Sequence, residues 1–61
     1  MSGTVLVRNL TAQGREVIFN DGAEPIHYWL NAKQSIRVPH TFLTPLVTEA
    51  ARRQILAIRK D

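Results

Sequence analysis

The chain has 61 residues, which gives room for one domain with a single small core. It contains no cysteine, so neither a disulfide nor a thiolate zinc site can support the fold. Eight Lys and Arg residues against five Asp and Glu give a formal net charge of +3 at pH 7, a mild excess that suits an acidic protein surface or nucleic acid as partner.

The first half of the chain predicts two strands and a hairpin turn. Thr4–Leu10 is rich in β-branched residues, and its continuous apolar centre predicts a strand covered on both faces. Gly14 follows in a turn, where it is free to take positive φ. Glu16–Asn20 predicts the second strand, and Asn20-Asp21-Gly22 is a strong hairpin signal.

Two further strands are predicted before the pattern changes. Pro25 opens the third strand, Ile26–Leu30, in which we expect Tyr28 to face the core. Gln34–Val38 alternates apolar and polar residues and ends at Pro39. Because the connections are short, the four strands are expected to form an antiparallel meander.

The last third predicts one helix and a return to the sheet. Thr44 can cap a helix that begins at Pro45 and runs to about Arg53, with Leu46 among its core-facing residues. Ile55–Arg59 predicts a fifth strand, although the helix could also continue through Ile58. The expected fold class is mostly β (a small α+β fold), a meander of four to five short strands with one short C-terminal helix. We expect residues 1–61 to form a single domain.

The residues offer little for catalysis or for a bound cofactor. The three glycines are scattered, so there is no glycine-rich phosphate loop. The five carboxylates fall mostly in turns or on an exposed helix face, and His27 and His40 are badly spaced for a metal. We expect no enzyme activity, no cofactor, no metal and no small-molecule substrate. No apolar run approaches the ~20 residues that a membrane span needs, so we expect no membrane contact.

Two groups of residues are candidates for contacts with other macromolecules. Trp29 and His27 alternate away from the core, so Trp29 lies either under the helix or on a surface for a partner. With the first strand, this predicts a protein interface that contains Trp29, His27, Val5 and Val7. The basic residues near the C-terminus form either a phosphate-binding patch or solvated surface charges; they are Arg52, Arg53, Arg59 and Lys60.

The order of these signals resembles the small virion proteins of tailed bacteriophages. Such proteins carry V-x-N-x-T near the start, a glycine turn, Ser-Ile/Val-x-Val-Pro, Leu-Thr-Pro-x-Val, a short helix and a final strand. The matching segments here are Val7-Arg8-Asn9-Leu10-Thr11, Asp21-Gly22, Ser35-Ile36-Arg37-Val38-Pro39, Leu43-Thr44-Pro45-Leu46-Val47 and Ile55-Leu56-Ala57-Ile58. The chain departs from the pattern at Gln54, where such sequences tend to place a glycine.

The resemblance implies a structural role in a phage particle, at the capsid surface, the neck or the tail. It implies partners that are larger virion proteins or further copies of the chain, and a location in the virion after assembly in the host cytoplasm. This agrees with the small size, because a short fold without disulfides or metal needs association for stability. The alternative is a small basic nucleic-acid-binding regulatory protein. A convergent arginine patch would favour that alternative, and a dispersed set would favour assembly.

Overall fold

The structure, a computed structural model, describes residues 3–60. The elements in sequence order are β1 (Thr4–Asn9), β2 (Arg15–Asn20), β3 (Pro25–Leu30), β4 (Ser35–Pro39), a 3-10 turn (His40–Phe42), α1 (Pro45–Arg52) and β5 (Leu56–Lys60). The predicted class, mostly β with one short helix, is confirmed. No helix in this part of the protein is long and apolar enough to cross a membrane.

The strand order is not that of a meander. β1 lies at the centre of a three-stranded antiparallel sheet in the order β4-β1-β5, and β2 and β3 form a separate hairpin. Val7 pairs with Ile36 of β4 on one side and with Ile58 of β5 on the other. The expected pairing of β1 with β2 fails because both edges of β1 are taken by strands from later in the sequence.

The core lies between the two sheets and α1. β1 contributes Val5 and Val7, which are 5% and 0% exposed, and the other buried apolar residues are Val17, Phe19, Leu30, Val38, Val47 and Leu56. Only one face of β1 is covered in this way, contrary to expectation. Its other face carries the half-buried Leu6 and the exposed Arg8.

Asn9 is the only buried polar residue among residues 3–60, and its amide joins three parts of the fold. Its Nδ2 donates to the backbone carbonyl oxygens of Gln13, Leu30 and Asn31 at 2.9, 3.2 and 3.2 Å. Its Oδ1 accepts from the backbone N–H and the hydroxyl of Thr11 at 2.9 and 2.6 Å. A single amide therefore ties the end of β1 to the following turn and to the end of β3.

Thr44 and Gln54 determine where α1 begins and ends. The Thr44 Oγ1 accepts from the N–H of Val47 and donates to the C=O of Ile18, so one hydroxyl caps the helix and fixes it to β2. The helix ends at Arg52 and does not continue into the last strand. Gln54 has φ 63°, the left-handed conformation that glycine favours and that costs another residue about 1 kcal/mol. The departure from the phage-like pattern thus falls on a turn that glycine would form without strain.

We predict that Asn9→Asp destabilises the fold by about 3 kcal/mol or more at pH 7. The carboxylate would face three carbonyl groups with no proton to donate, and burial would raise the pKa of the introduced carboxyl. Because that pKa is higher in the folded state than in the unfolded state, the deficit relative to the wild type should shrink as pH falls. Urea denaturation followed by Trp fluorescence at pH 7 and pH 5 measures both effects.

The matched control is Asn20→Asp. The Asn20 Oδ1 accepts from the N–H of Gly22 at 2.7 Å in an exposed turn, and a carboxylate keeps that bond. We expect a change within about 0.5 kcal/mol. Equal losses in the two variants would contradict the role given to Asn9.

Candidate functional site

An open groove of about 420 Å³ lies between the hairpin and the last third of the sequence. We call it the Trp29 groove. β2 and the residue before it form one side, and residues of α1 and of the start of β5 form the other. The lining residues are Gly14, Arg15, Glu16, Val17, Ile18, Trp29, Leu46, Val47, Ile55 and Leu56.

Two of the three large apolar residues exposed among residues 3–60 lie in this groove. Trp29 is 60% exposed and Leu46 is 66% exposed; the third, Tyr28, is 37% exposed, although we expected it to face the core. α1 packs against β5 and β2 and leaves Trp29 open, so of the two alternatives for Trp29 the covering helix is not observed. The expectation that Leu46 faces the core is wrong, because only Val47 in α1 is buried.

The indole of Trp29 is held in one orientation. Its Nε1–H donates to Oδ1 of Asn31 at 3.0 Å, and the ring lies against Gly14. A Cβ atom at Gly14 would come within 3.0 Å of three indole atoms, so only glycine leaves room for the ring. Gly14 does not use the positive φ that is open to glycine; among the described glycines only Gly22 does.

The other residues of the predicted protein interface are not brought to the groove. His27 is exposed on the same face of β3 as Trp29, with its Nδ1 3.4 Å from Oε2 of Glu16. Val5 and Val7 are core residues, because β1 is the central strand and points them between the two sheets. Their side chains therefore do not form a surface.

The four basic residues predicted near the C-terminus do not form one patch. Arg52 donates from Nε and Nη2 to the Glu49 carboxylate at 2.9 and 3.0 Å, and Nε of Arg53 lies 3.4 Å from the same group. The hydrogen bond from Arg52 lowers the pKa of Glu49, and Glu49 raises the pKa of Arg52. Arg59 and Lys60 are successive residues of β5 and point to opposite faces of the sheet.

The outer face of the three-stranded sheet instead collects three arginines from three strands. Arg37 and Arg59 both pair with Leu6 of β1, one on each side, and Arg8 follows two residues along the same strand. The Cα atoms of Arg37 and Arg59 are thus about 10 Å apart. We call this surface the basic face. Its remaining described positions carry no Asp or Glu; they are Thr4, Ser35, Pro39 and Ala57.

The two surfaces differ in what they can bind. The Trp29 groove exposes polar and apolar surface in similar amounts and offers two large apolar side chains to a partner. The basic face offers guanidinium groups to phosphates or carboxylates. Within residues 3–60, no three His, Asp or Glu residues come together as a metal site would require.

Comparison with known proteins adds no relative. No protein-family model, no curated protein and no solved structure matches this sequence. The case for a function therefore rests on these two surfaces and on the sequence pattern.

We predict that Gly14→Ala displaces the indole of Trp29 and leaves the fold intact. The added Cβ overlaps three atoms on the Nε1 side of the exposed indole, which can turn away at the cost of its bond to Asn31. The protein has one Trp, so its emission reports this movement directly. We expect a red shift and stronger quenching by iodide, with unchanged far-UV circular dichroism.

The control is Ala23→Gly, which removes a Cβ methyl group in the exposed loop between β2 and β3. It should leave the emission unchanged. A wild-type spectrum in Gly14→Ala would show that the indole does not depend on that glycine for its position.

Proposed function

We propose that the protein is a non-enzymatic structural component of a tailed-bacteriophage virion, which assembles in several copies with larger capsid, neck or tail proteins. The observation that carries this proposal is the pair of exposed apolar residues, Trp29 and Leu46, in one groove. A Trp fixed in an open groove beside a second exposed apolar side chain has the properties of an interface hot spot.

The rigidity of the site supports binding to another protein. The indole is fixed by Gly14 and Asn31, so little rotational freedom is lost when a partner covers it. A small domain buries little surface by itself. Contact with a larger protein buries further apolar surface and therefore stabilises the fold. The resemblance of the sequence pattern to small phage virion proteins is the reason for proposing a virion as the place of assembly.

We predict that Trp29→Ala lowers incorporation of the protein into phage particles by about tenfold or more, the usual effect of losing a central aromatic anchor. Particles are produced from the genome that encodes the protein, purified on a density gradient, and analysed by quantitative mass spectrometry. Leu46→Ala should lower incorporation in the same direction.

Arg37→Ala is the control, because Arg37 lies on the three-stranded sheet, outside the groove. Equal incorporation of Trp29→Ala and Arg37→Ala would contradict a groove-based contact. Absence of the wild-type protein from the particles, although it is expressed, would refute the virion role itself.

A second candidate function, binding to nucleic acid, is favoured by the basic face. Arg8, Arg37 and Arg59 come from three strands onto one surface without an acidic residue among its described positions. This is the convergent arrangement expected of a phosphate-binding surface. The described aromatic residues lie elsewhere, so the contact would be to the phosphate backbone and independent of base sequence.

This candidate predicts weak binding to random-sequence oligonucleotides that falls steeply with salt. Three phosphate contacts give a slope of about −2 to −3 in a plot of log K against log salt. Fluorescence anisotropy with single- and double-stranded oligonucleotides at low and near-physiological salt measures it. Arg8→Ser with Arg59→Ser should abolish binding, whereas Arg52→Ser with Arg53→Ser should not. No binding at low salt would eliminate this candidate.

A further inference from the structure

The edge of β2 that faces away from β3 presents backbone hydrogen-bonding groups to the Trp29 groove. In an antiparallel pair, successive residues point their N–H and C=O alternately toward the partner strand and away from it. The Thr44 hydroxyl donates to the C=O of Ile18 at 3.0 Å, so Ile18 points away from β3. Pro25, which has no N–H, pairs with Asn20 and fits the same alternation. Glu16 therefore points its backbone groups away from β3 as well.

Three of these groups are available to a partner: the N–H and C=O of Glu16 and the N–H of Ile18. None of them takes part in a hydrogen bond between elements within residues 3–60, whereas the C=O of Ile18 is bonded to Thr44. The segment 14–18 lines the groove, so these groups lie beside apolar residues. An unpaired strand edge in such surroundings is a template for pairing with another strand.

We propose that the Trp29 groove takes an extended segment of a partner protein, which adds to β2 as a further strand. Backbone hydrogen bonds to Glu16 and Ile18 hold the segment in register, and its alternate residues pack beside Trp29 and Leu46. The start of β5 lines the other side of the groove, so the added strand lies between the two sheets. This inference rests on the proposed assembly function and specifies how the partner binds.

The charges of the groove favour a segment without net charge. Arg15 and Glu16 are the only charged lining residues, one of each sign. The Arg15 Nε donates to the hydroxyl of Thr11 at 3.0 Å, and the Glu16 carboxylate faces His27. The two opposite charges are adjacent in the sequence, so this wall carries no net charge. The segment that suits it has apolar residues at every second position and no net charge.

The shape of the site disfavours a second copy that pairs through the same edge. A two-fold dimer would bring the β2 edge of one copy to the β2 edge of the other. Each edge lies within a groove whose other wall includes Leu46, so neither can approach the other to the ~4.8 Å that strand pairing requires. A single extended segment meets no such obstacle.

The test begins with random dodecapeptides displayed on yeast and selected against the full-length protein. The strongest peptide is synthesised and titrated into the ¹⁵N-labelled protein. We expect enriched sequences with uncharged apolar residues at alternate positions. The amide resonances of Glu16 and Ile18 should move most, and hydrogen exchange at these two amides should slow by about tenfold or more.

Two substitutions at one position separate backbone binding from binding through the Glu16 carboxylate. Glu16→Pro removes the N–H at the free edge without touching the β2–β3 hydrogen bonds, and proline is tolerated at such edge positions. Glu16→Ala keeps that N–H and removes the carboxylate. We expect Glu16→Pro to weaken peptide binding by about tenfold and Glu16→Ala to change it less than about twofold.

Peptides N-methylated at single bonds test the same point in the wild-type protein, should Glu16→Pro fail to fold. Losses at every second bond support strand addition, and uniform tolerance overturns it. Equal binding by the two Glu16 variants, absence of any peptide that shifts Glu16 and Ile18, or concentration-dependent shifts there without peptide (a second copy) also overturn it. In the particle assay, incorporation of Glu16→Pro alongside loss of Trp29→Ala would refute strand addition and leave the assembly function standing.

Discussion

The fold depends on one buried amide. The Asn9 amide lies where the end of β1, the following turn and the end of β3 meet, and it bonds to backbone groups of all three. Without it, the backbone carbonyl oxygens of Leu30 and Asn31 would lose their connection to the central strand. The same contact holds the residues that flank the Trp29 groove, because Gly14 follows the turn and Asn31 accepts the indole N–H. A buried polar residue at the end of the central strand thus fixes both the packing of the sheets and the shape of the candidate site.

The motif positions that resemble phage virion proteins have structural roles in this fold. Asn9 and Thr11 form the buried network, and Gly22 takes φ 98° in the hairpin loop. Thr44 and Pro45 begin the helix and connect it to β2. None of these residues lines the Trp29 groove. The fold of this protein accounts for these motif positions, whereas the proposed binding rests on the exposed residues of the groove.

Local sequence signals predict the helix and the strands well, but they do not predict which distant strands pair. The hairpin turn at Asp21-Gly22 and the helix start at Thr44-Pro45 depend on neighbouring residues, and both form as expected. β1 pairs with β4 and β5 because these strands, distant in the sequence, compete with β2 for its edges. Strand propensity gives no information about that competition. For the same reason, Val5 and Val7 are predicted at a surface and lie in the core. Trp29 is identifiable because an exposed aromatic stands out in an alternating strand, but its neighbours in the groove come from α1 and β5.

The central position of β1 also decides the order in which the protein can fold. The β2–β3 hairpin closes a loop of a few residues, so we expect it to form early. β1 must wait for partners that include Ile58, about fifty residues further along, and closing so long a loop is slow. Until β5 arrives, one edge of an apolar strand stays open to other polypeptides. A nascent polypeptide is thus most exposed to misassembly over the segment Val5–Val7, whose two valines the finished fold buries.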